Sequence, residues 1–194
     1  MYYIIKKSEF IGGVRKLNLN ELRIDCAKKQ KKGLHIILAS VIIWTAVLIV
    51  QLLDVPILTK NLLTFFCTAP LLPISYFISV IIKVDFQNKG NPLTKLGVLF
   101  SVNQMLYLLI AMWIYPTIPD KMLMVIAIIF GAHLMPYSWI YISKTYLILS
   151  IIIPILALII GLKFESYILA SMMIVFEILF SLLLISENKK LAYK

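Results

Sequence analysis

Ser166–Ile185 reads SYILASMMIVFEILFSLLLI, an apolar run with a single acid, Glu177, near its centre. About 20 apolar residues in helical conformation cross the hydrocarbon of a bilayer, so this run predicts a transmembrane helix. A carboxylate at that depth costs roughly 2.5–3.5 kcal/mol on insertion scales, and more if it faces lipid alone. We therefore expect Glu177 to point into a helix bundle, towards polar partners on neighbouring helices.

The composition of the whole chain is that of an integral membrane protein. Of the 194 residues, 61% are hydrophobic and 14% are charged, and the mean hydropathy is +0.95. A soluble domain is roughly 45–50% apolar and about 25% charged. The net charge of +10 lies beside hydrophobic runs, so it indicates membrane topology and no nucleic-acid partner. Cys26 and Cys67 have no paired spacing, so we expect no disulfide framework, no metal and no cofactor.

Six apolar runs predict an all-α, polytopic transmembrane helix bundle. They are 34–53, 61–82, 96–115, 122–143, 146–162 and 166–185. The fifth run has only 17 residues, so it is the one expected to be re-entrant or steeply embedded. Residues 1–16 are expected to be a flexible extension and 17–33 a cytoplasmic amphipathic, basic helix, opened by a capping box at Asn18 and Glu21. Residues 186–194 are then a cytoplasmic tail.

The distribution of cations predicts the orientation of the bundle. Sixteen of the 19 Lys and Arg residues fall on one side of the six-run map, whereas the other side holds only Lys60, Lys121 and Lys163. Under the positive-inside rule the richer side is cytoplasmic. Both termini are then cytoplasmic, which requires an even number of spans.

A basic cluster precedes the first run and consists of Lys28, Lys29, Lys31 and Lys32. Each cation near an anionic cytoplasmic leaflet contributes about 1 kcal/mol, so these side chains are candidates for contact with lipid headgroups. Alternatively, they are a topogenic signal that keeps the N-terminus inside, which is the commoner meaning of such a cluster. The sequence leaves both interpretations open.

Several polar side chains inside the runs lie at one estimated depth. Counting from the cytoplasmic ends at about 1.5 Å per residue gives a similar level for Asn103, Gln104, His133 and Glu177. Tyr107 shares the helix face of Asn103. One interpretation is a substrate or proton site in which Glu177 binds a proton or cation and His133 titrates beside it. The other three side chains are then ligands. The alternative is interhelical hydrogen bonding that holds the bundle together.

Prolines interrupt three of the runs: Pro70 and Pro73 in the second, Pro136 in the fourth and Pro154 in the fifth. Each removes a backbone donor and frees a carbonyl, so we expect kinked or broken helices. Such helices line the substrate sites of many transporters, although proline is also commoner in transmembrane helices generally.

Small residues recur at four-residue spacing in two runs, Gly97 with Ser101 and Ala127 with Gly131. This spacing lets helices approach closely in a membrane. The close contacts belong either to the inside of the bundle or to a homo-oligomer, and the sequence does not distinguish the two.

Enzyme signatures are lacking in the sequence. It has no His-Glu-x-x-His pair, no nucleophile elbow and no glycine-rich phosphate loop, and the runs hold no paired carboxylates. We therefore expect that the protein is not an enzyme.

Three stretches carry a family resemblance: Asn20–Leu34 (NELRIDCAKKQKKGL), Asn91–Trp113 (NPLTKLGVLFSVNQMLYLLIAMW) and Phe130–Trp139 (FGAHLMPYSW). They resemble an uncharacterised bacterial multi-pass membrane-protein family known only as a domain of unknown function. The resemblance runs from about Leu17 into the C-terminal spans. It implies a multi-pass fold in the bacterial inner membrane and brings neither an activity nor site residues.

Two functional hypotheses follow for a chain whose one sure partner is the lipid bilayer. The first is a small transporter or permease-like module, proton-linked through Glu177, with a substrate that the sequence does not identify. The rival is a non-transporting membrane accessory, immunity-type or scaffold protein, held together by the polar side chains and positioned by the basic cluster.

Overall fold

A computed structural model of the chain describes residues 10–11, 14–15 and 18–192. Within these ranges the α-helices are α1 (Leu19–Lys29), α2 (Leu34–Leu52), α3 (Ile57–Thr68), α4 (Leu71–Ile81), α5 (Pro92–Thr117), α6 (Met122–His133), α7 (Met135–Ile140), α8 (Lys144–Lys163) and α9 (Ser166–Ala192). Two short strands, β1 (Phe10–Ile11) and β2 (Val14–Arg15), pair antiparallel. The remainder of the predicted flexible extension, 1–16, lies outside the described residues. The all-α helical bundle is confirmed.

Within residues 18–192, six stretches of helix are long and apolar enough to cross a membrane: Lys31–Leu52, Ile57–Ile81, Pro92–Thr117, Pro119–Ile140, Lys144–Lys163 and Ser166–Leu191. The six predicted spans are therefore confirmed, and the protein is a multi-pass membrane protein. Six crossings place the start of the first span and the end of the last span on the same side of the membrane. That this side is cytoplasmic remains a prediction from the cation count.

The fifth span corrects one expectation. α8 has 20 residues, not 17, and at about 1.5 Å per residue it is long enough to cross the hydrocarbon. The helix begins earlier than the apolar run because the Ser143 side chain caps it, accepting a hydrogen bond from the Tyr146 amide at 3.3 Å. Counting apolar residues alone missed Lys144 and Thr145, which lie in its first turn. The length of α8 therefore gives no reason to expect a re-entrant fifth segment.

The chain breaks near two of the four predicted prolines. α3 and α4 are separated at Ala69–Pro70, and α6 gives way to α7 at Leu134, two residues before Pro136. Pro154, by contrast, lies inside the continuous α8. Broken helices are thus confirmed in the second and fourth spans.

The centre of the bundle is formed by α2, α6, α8 and α9, with α2 packed on α9 and α6 packed on α8. α5 is peripheral. Only 11% of its most apolar window is buried inside the protein, against 56% for the first span. Most of α5 therefore faces outward, towards lipid or a partner.

The small residues serve packing inside the bundle. A Cβ placed on Gly131 would lie 2.7 Å from Cδ of Pro154, so α6 and α8 touch at a distance that only glycine permits. A Cβ on Gly97 would lie in ordinary contact, 3.7 Å from the Tyr137 ring. Of the two interpretations of this spacing, the internal one is the one that these contacts support.

Candidate functional site

Glu177 is fully buried on α9, as predicted for an acid inside a transmembrane helix. Its one described hydrogen-bond partner is Ser40 of α2, whose hydroxyl meets Oε2 of the acid. Ser40 is itself 1% exposed. α2 and α9 pack directly on each other, so this contact joins the two helices at the centre of the bundle.

The Ser40 hydroxyl has two acceptors within reach and one proton to donate. Its Oγ lies 2.8 Å from the Ile37 carbonyl as well as against the acid. When Glu177 is ionised, Ser40 donates to the carboxylate. When Glu177 is protonated, the acid donates to Ser40, and Ser40 in turn donates to the Ile37 carbonyl. The geometry fits both protonation states, with a different set of donors in each.

Two buried polar atoms beside this contact have no hydrogen-bond partner among the described residues. They are Oε1 of Glu177 and Oγ of Ser181. The residues are four apart on α9, so they share one helix face. A buried polar atom without a partner costs about 1–3 kcal/mol. A proton on Oε1, a water molecule or a small cation would satisfy such a pair.

Apolar side chains enclose the acid on α9. Met173, Phe180 and Leu184 are all wholly buried, and the Phe180 ring meets Tyr146 edge-on at 4.7 Å between centroids. Closer to the other end of the bundle, Trp44 and Val47 of α2 are also buried. Glu177 therefore lies in a low-dielectric setting, where gain or loss of a proton has a large energetic effect.

The other predicted ligands do not gather around Glu177. Asn103 and Tyr107 are exposed on α5, where Nδ2 of Asn103 donates to the Tyr107 hydroxyl at 2.9 Å, and Gln104 is half-buried. α5 packs against α1, α6 and α7, whereas α9 packs against α2, α6 and α8. The single cluster inferred from a common depth is wrong, because depth along a helix does not determine which way a side chain faces.

His133 belongs with the α5 side chains instead. Its Nδ1 lies 2.5 Å from the Phe130 carbonyl, and its ring packs edge-on against Tyr137 at 6.1 Å between centroids. With Asn103 and Tyr107 it lines a groove of about 350 Å³ on the side of the bundle. We name this the lateral groove. Glu177 does not line it.

The basic cluster is only partly available to lipid. Lys32 is 5% exposed, and its ammonium forms an ion pair with Glu187 at 2.6 Å. Nζ of Lys31 donates to the Ile82 carbonyl at 2.5 Å. Headgroup contact by Lys31 and Lys32 is therefore corrected to internal bonding. The backbone is left-handed at both lysines. Lys28 is exposed, and Lys29 is exposed but paired with Asp25.

Asp25 anchors the loop before α5 to α1. Its carboxylate meets the Lys29 ammonium at 2.8 Å and accepts from Nδ2 of Asn91 at 2.9 Å and of Asn88 at 3.3 Å. Burial alone would raise the pKa of Asp25, but these donors outweigh it and hold the pKa below its usual value. Burial raises the pKa of the neighbouring Cys26 thiol to about 11, so this thiol stays protonated at neutral pH.

Metal binding has no evident site in residues 18–192. Over that part of the chain, His, Cys, Asp and Glu form no group of three or more that could hold an ion.

Sequence reasoning missed Ser40, the side chain that contacts the acid. Serine is common in transmembrane helices and carries no signal alone. Its depth, six residues into the first predicted run, is close to that of Glu177, eight residues from the end of the last. Including hydroxyl side chains in the comparison of depths would have found it.

Comparison with curated proteins and with solved structures found no match. A family described as being of unknown function, DUF7010, matches residues 19–187. The match covers both helices of the Ser40–Glu177 contact and ends within α9, close to the extent expected from the resemblance. The chain belongs to this family of unknown function, DUF7010.

Proposed function

We propose that this multi-pass membrane protein is a small transporter that takes up and releases a proton at Glu177. The observation that supports the proposal most directly is the shared Ser40 hydroxyl, which has acceptors for both protonation states of the acid. If residue 177 served only to hydrogen-bond α9 to α2, an amide or a hydroxyl side chain at that position would do so without an ionisable group. A carboxyl that is wholly buried in a span, with one oxygen lacking a partner, is typical of a proton relay.

A change in protonation alters the contact between two packed helices. With the acid protonated, hydrogen bonds run from Glu177 through Ser40 to the Ile37 carbonyl of α2. With the acid ionised, Ser40 donates to the carboxylate, and the Ile37 carbonyl loses its extra donor. Breaks in the neighbouring spans, between α3 and α4 and between α6 and α7, provide places where helices can bend in response.

The membrane in this proposal is the bacterial cytoplasmic membrane, with both chain ends in the cytosol. That assignment is supported by the family resemblance and by the sixteen cations on the side of the chain ends.

Charge movement after a pH jump tests the proposal without a known substrate. Purified protein in liposomes is adsorbed on a solid-supported membrane, and the current is recorded when the bathing pH is stepped. A proton that moves from water to Glu177 crosses part of the membrane field, so the native protein should give a transient current. Glu177→Gln keeps the shape of the side chain but cannot titrate, so its current should fall to the level of protein-free liposomes.

Two controls make the result decisive. Asp54→Asn removes an exposed carboxylate from the loop after α2 and should leave the current unchanged. Size-exclusion profiles and thermal unfolding of all variants show whether Glu177→Gln is folded. A native protein with no current above protein-free liposomes refutes the proposal, as does a Glu177→Gln variant that retains the native current.

The second candidate function is a non-transporting accessory protein that associates within the membrane. The lateral groove favours it, because Asn103 and Tyr107 are exposed on the outward side of α5. Polar side chains that face lipid at mid-span are costly, and a partner helix that covered them would remove that cost.

Cysteine cross-linking tests whether that partner is a second copy of the chain. Tyr107→Cys in a Cys67→Ser background places a thiol on the outward face of α5, and Val175→Cys, at a position 64% exposed on α9, is the matched control. Self-association through the groove should give a disulfide-linked dimer at position 107 and little at 175. Equal yields at both positions contradict it.

A further inference from the structure

The end of the bundle away from the chain termini contains a cleft of about 530 Å³. It lies between the last turn of α2, the first turns of α3 and α9, the last turn of α8 and the 119–121 turn before α6. We name it the distal cleft. Its volume falls within the range of roughly 300–1,000 Å³ that is usual for small-molecule sites.

The distal cleft collects three cations from distant parts of the chain. Lys60, Lys121 and Lys163 all line it. These are also the only Lys or Arg residues that the topology map places on the outer side. The fold brings them together from the ends of three different spans, so their convergence results from tertiary structure and not from neighbouring positions in the sequence.

Two of the three ammonium groups are held at fixed points. Nζ of Lys60 donates to the Gln51 carbonyl at 3.0 Å, in the last turn of α2. Nζ of Lys121 donates to the Gly161 carbonyl at 2.8 Å, in the last turn of α8. Capping these helix ends is a structural role, but it uses one donor of each ammonium, which has three. The structure gives no hydrogen bond or ion pair for Lys163 within the described residues.

The first turn of α9 adds further positive potential. Ser166 and Tyr167 line the distal cleft at the start of this 27-residue helix. The first amides of a helix have no acceptors within it, and the helix dipole makes this end favourable for anions.

Two carboxylates also line the distal cleft, and the sign of the electrostatic potential inside it depends on where they lie. Asp120 and Glu165 are both exposed to solvent, whereas Lys60 and Lys121 are half-buried. Neither carboxylate forms an ion pair with the cleft lysines, in contrast to the described pairs elsewhere in the chain. Solvated charges at the rim are screened more strongly than half-buried ones, so the interior of the cleft is net cationic.

We infer that the distal cleft binds a small anion with a carboxylate or phosphate group, held between Lys121, Lys60 and the start of α9. The inference rests on the proposed function and gives it a substrate class, an organic or inorganic anion that crosses together with a proton. The cleft and the acid are joined by two helices. Gln51 is eleven residues from Ser40 on α2, and Ser166 is eleven from Glu177 on α9, about 16 Å along each helix.

Isothermal titration calorimetry on the full-length protein in detergent micelles tests the site. Sodium phosphate and sodium succinate are the probes, each titrated in sodium chloride buffer of matched ionic strength. Lys121→Gln removes a half-buried cation and should weaken Kd about tenfold. Lys163→Gln, at a position with no described contact to lose, should weaken it about threefold. Lys89→Gln removes an exposed cation near the opposite end of the bundle and should leave Kd unchanged.

Variants that should tighten binding exclude loss of folding as the explanation of the weaker binding by the lysine variants. Asp120→Asn and Glu165→Gln remove rim carboxylates that repel the anion, so each should tighten Kd about two- to threefold. A misfolded protein cannot bind more tightly. The inference is overturned if neither probe binds, if the lysine variants bind like the native protein, or if the carboxylate variants fail to tighten binding.

The same anion chemistry is available from a lipid headgroup, and nanodiscs distinguish the two sources. In phosphatidylcholine nanodiscs, phosphate should bind as it does in detergent. If 30% phosphatidylglycerol abolishes that binding in the native protein, the occupant is a lipid phosphate; if binding persists, it is a soluble anion. The two proposals can fail independently. Phosphate binding without a pH-jump current supports the anion site and refutes proton transport at Glu177. A current without phosphate binding supports proton transport and refutes the anion site.

Discussion

Replacement of Ser40 by alanine is the sharpest test of the contact at the centre of the bundle. The substitution removes the one described partner of Glu177 and leaves both carboxyl oxygens without a donor. An additional unsatisfied buried group costs about 1–3 kcal/mol, while alanine improves helix propensity over serine by about 0.5 kcal/mol. We therefore expect Ser40→Ala to lower the free energy of unfolding by about 1–2 kcal/mol.

The same change should be nearly neutral when the acid is absent. In a Glu177→Leu background no carboxyl remains to be paired, and Ser40 keeps only its bond to the Ile37 carbonyl on its own helix. Ser40→Ala in that background should change the free energy of unfolding by no more than about 0.5 kcal/mol. The coupling energy of the double-mutant cycle is then about 1–2 kcal/mol.

Reversible unfolding by SDS in mixed micelles measures all four proteins of the cycle. Ser75→Ala is the matched control, because Ser75 is wholly buried and donates only to the Leu72 carbonyl of its own helix. It should behave alike with and without Glu177. Equal costs of Ser40→Ala in the two backgrounds would show that Ser40 stabilises α2 alone, and the assignment of a Ser40–Glu177 contact would fail.

Three further predictions concern other parts of the bundle. Lys32→Met should lower the free energy of unfolding by about 3 kcal/mol, because it leaves the partly buried Glu187 without its ion-pair partner. Adding Glu187→Gln to the same chain should recover part of that loss. Gly131→Ala should cost about 1–3 kcal/mol by overpacking α6 against α8, whereas Gly90→Ala, where an added Cβ meets nothing within 4 Å, should not destabilise. Since the pKa of Asp25 is lowered on folding, its contribution is present above the unfolded value of 3.8 and is lost as the pH falls through the lower folded pKa. The protection factors of α1 amides, which are corrected for the intrinsic exchange rate at each pH, should therefore fall below about pH 4. They should fall less in Asp25→Asn, whose protection is already lower at neutral pH.

The number and position of the spans were readable from the sequence because each helix meets the bilayer separately. A run of about 20 apolar residues must satisfy its own backbone in lipid whatever its neighbours are. The same reasoning correctly predicted that Glu177 is buried. The capping box at Asn18 and Glu21 was also local, and both of its hydrogen bonds form at 2.9 Å.

The basic cluster shows where local reasoning stops. Lys28 and Lys32 look alike in the sequence, but one is exposed and the other is buried against Glu187. Lys32 lies in a left-handed turn and pairs with a carboxylate 155 residues away, which no local pattern around it indicates.

Local composition therefore settles that the chain crosses a membrane six times and that its acid is sheltered. The partner of that acid, and the side of the bundle on which each polar residue lies, come from packing. Ser40 and Glu177 are 137 residues apart, and Lys60, Lys121 and Lys163 belong to three different spans. Hydropathy determines how deep a side chain lies along its own helix, but the rotation of each helix and its choice of neighbours follow from contacts among all of them.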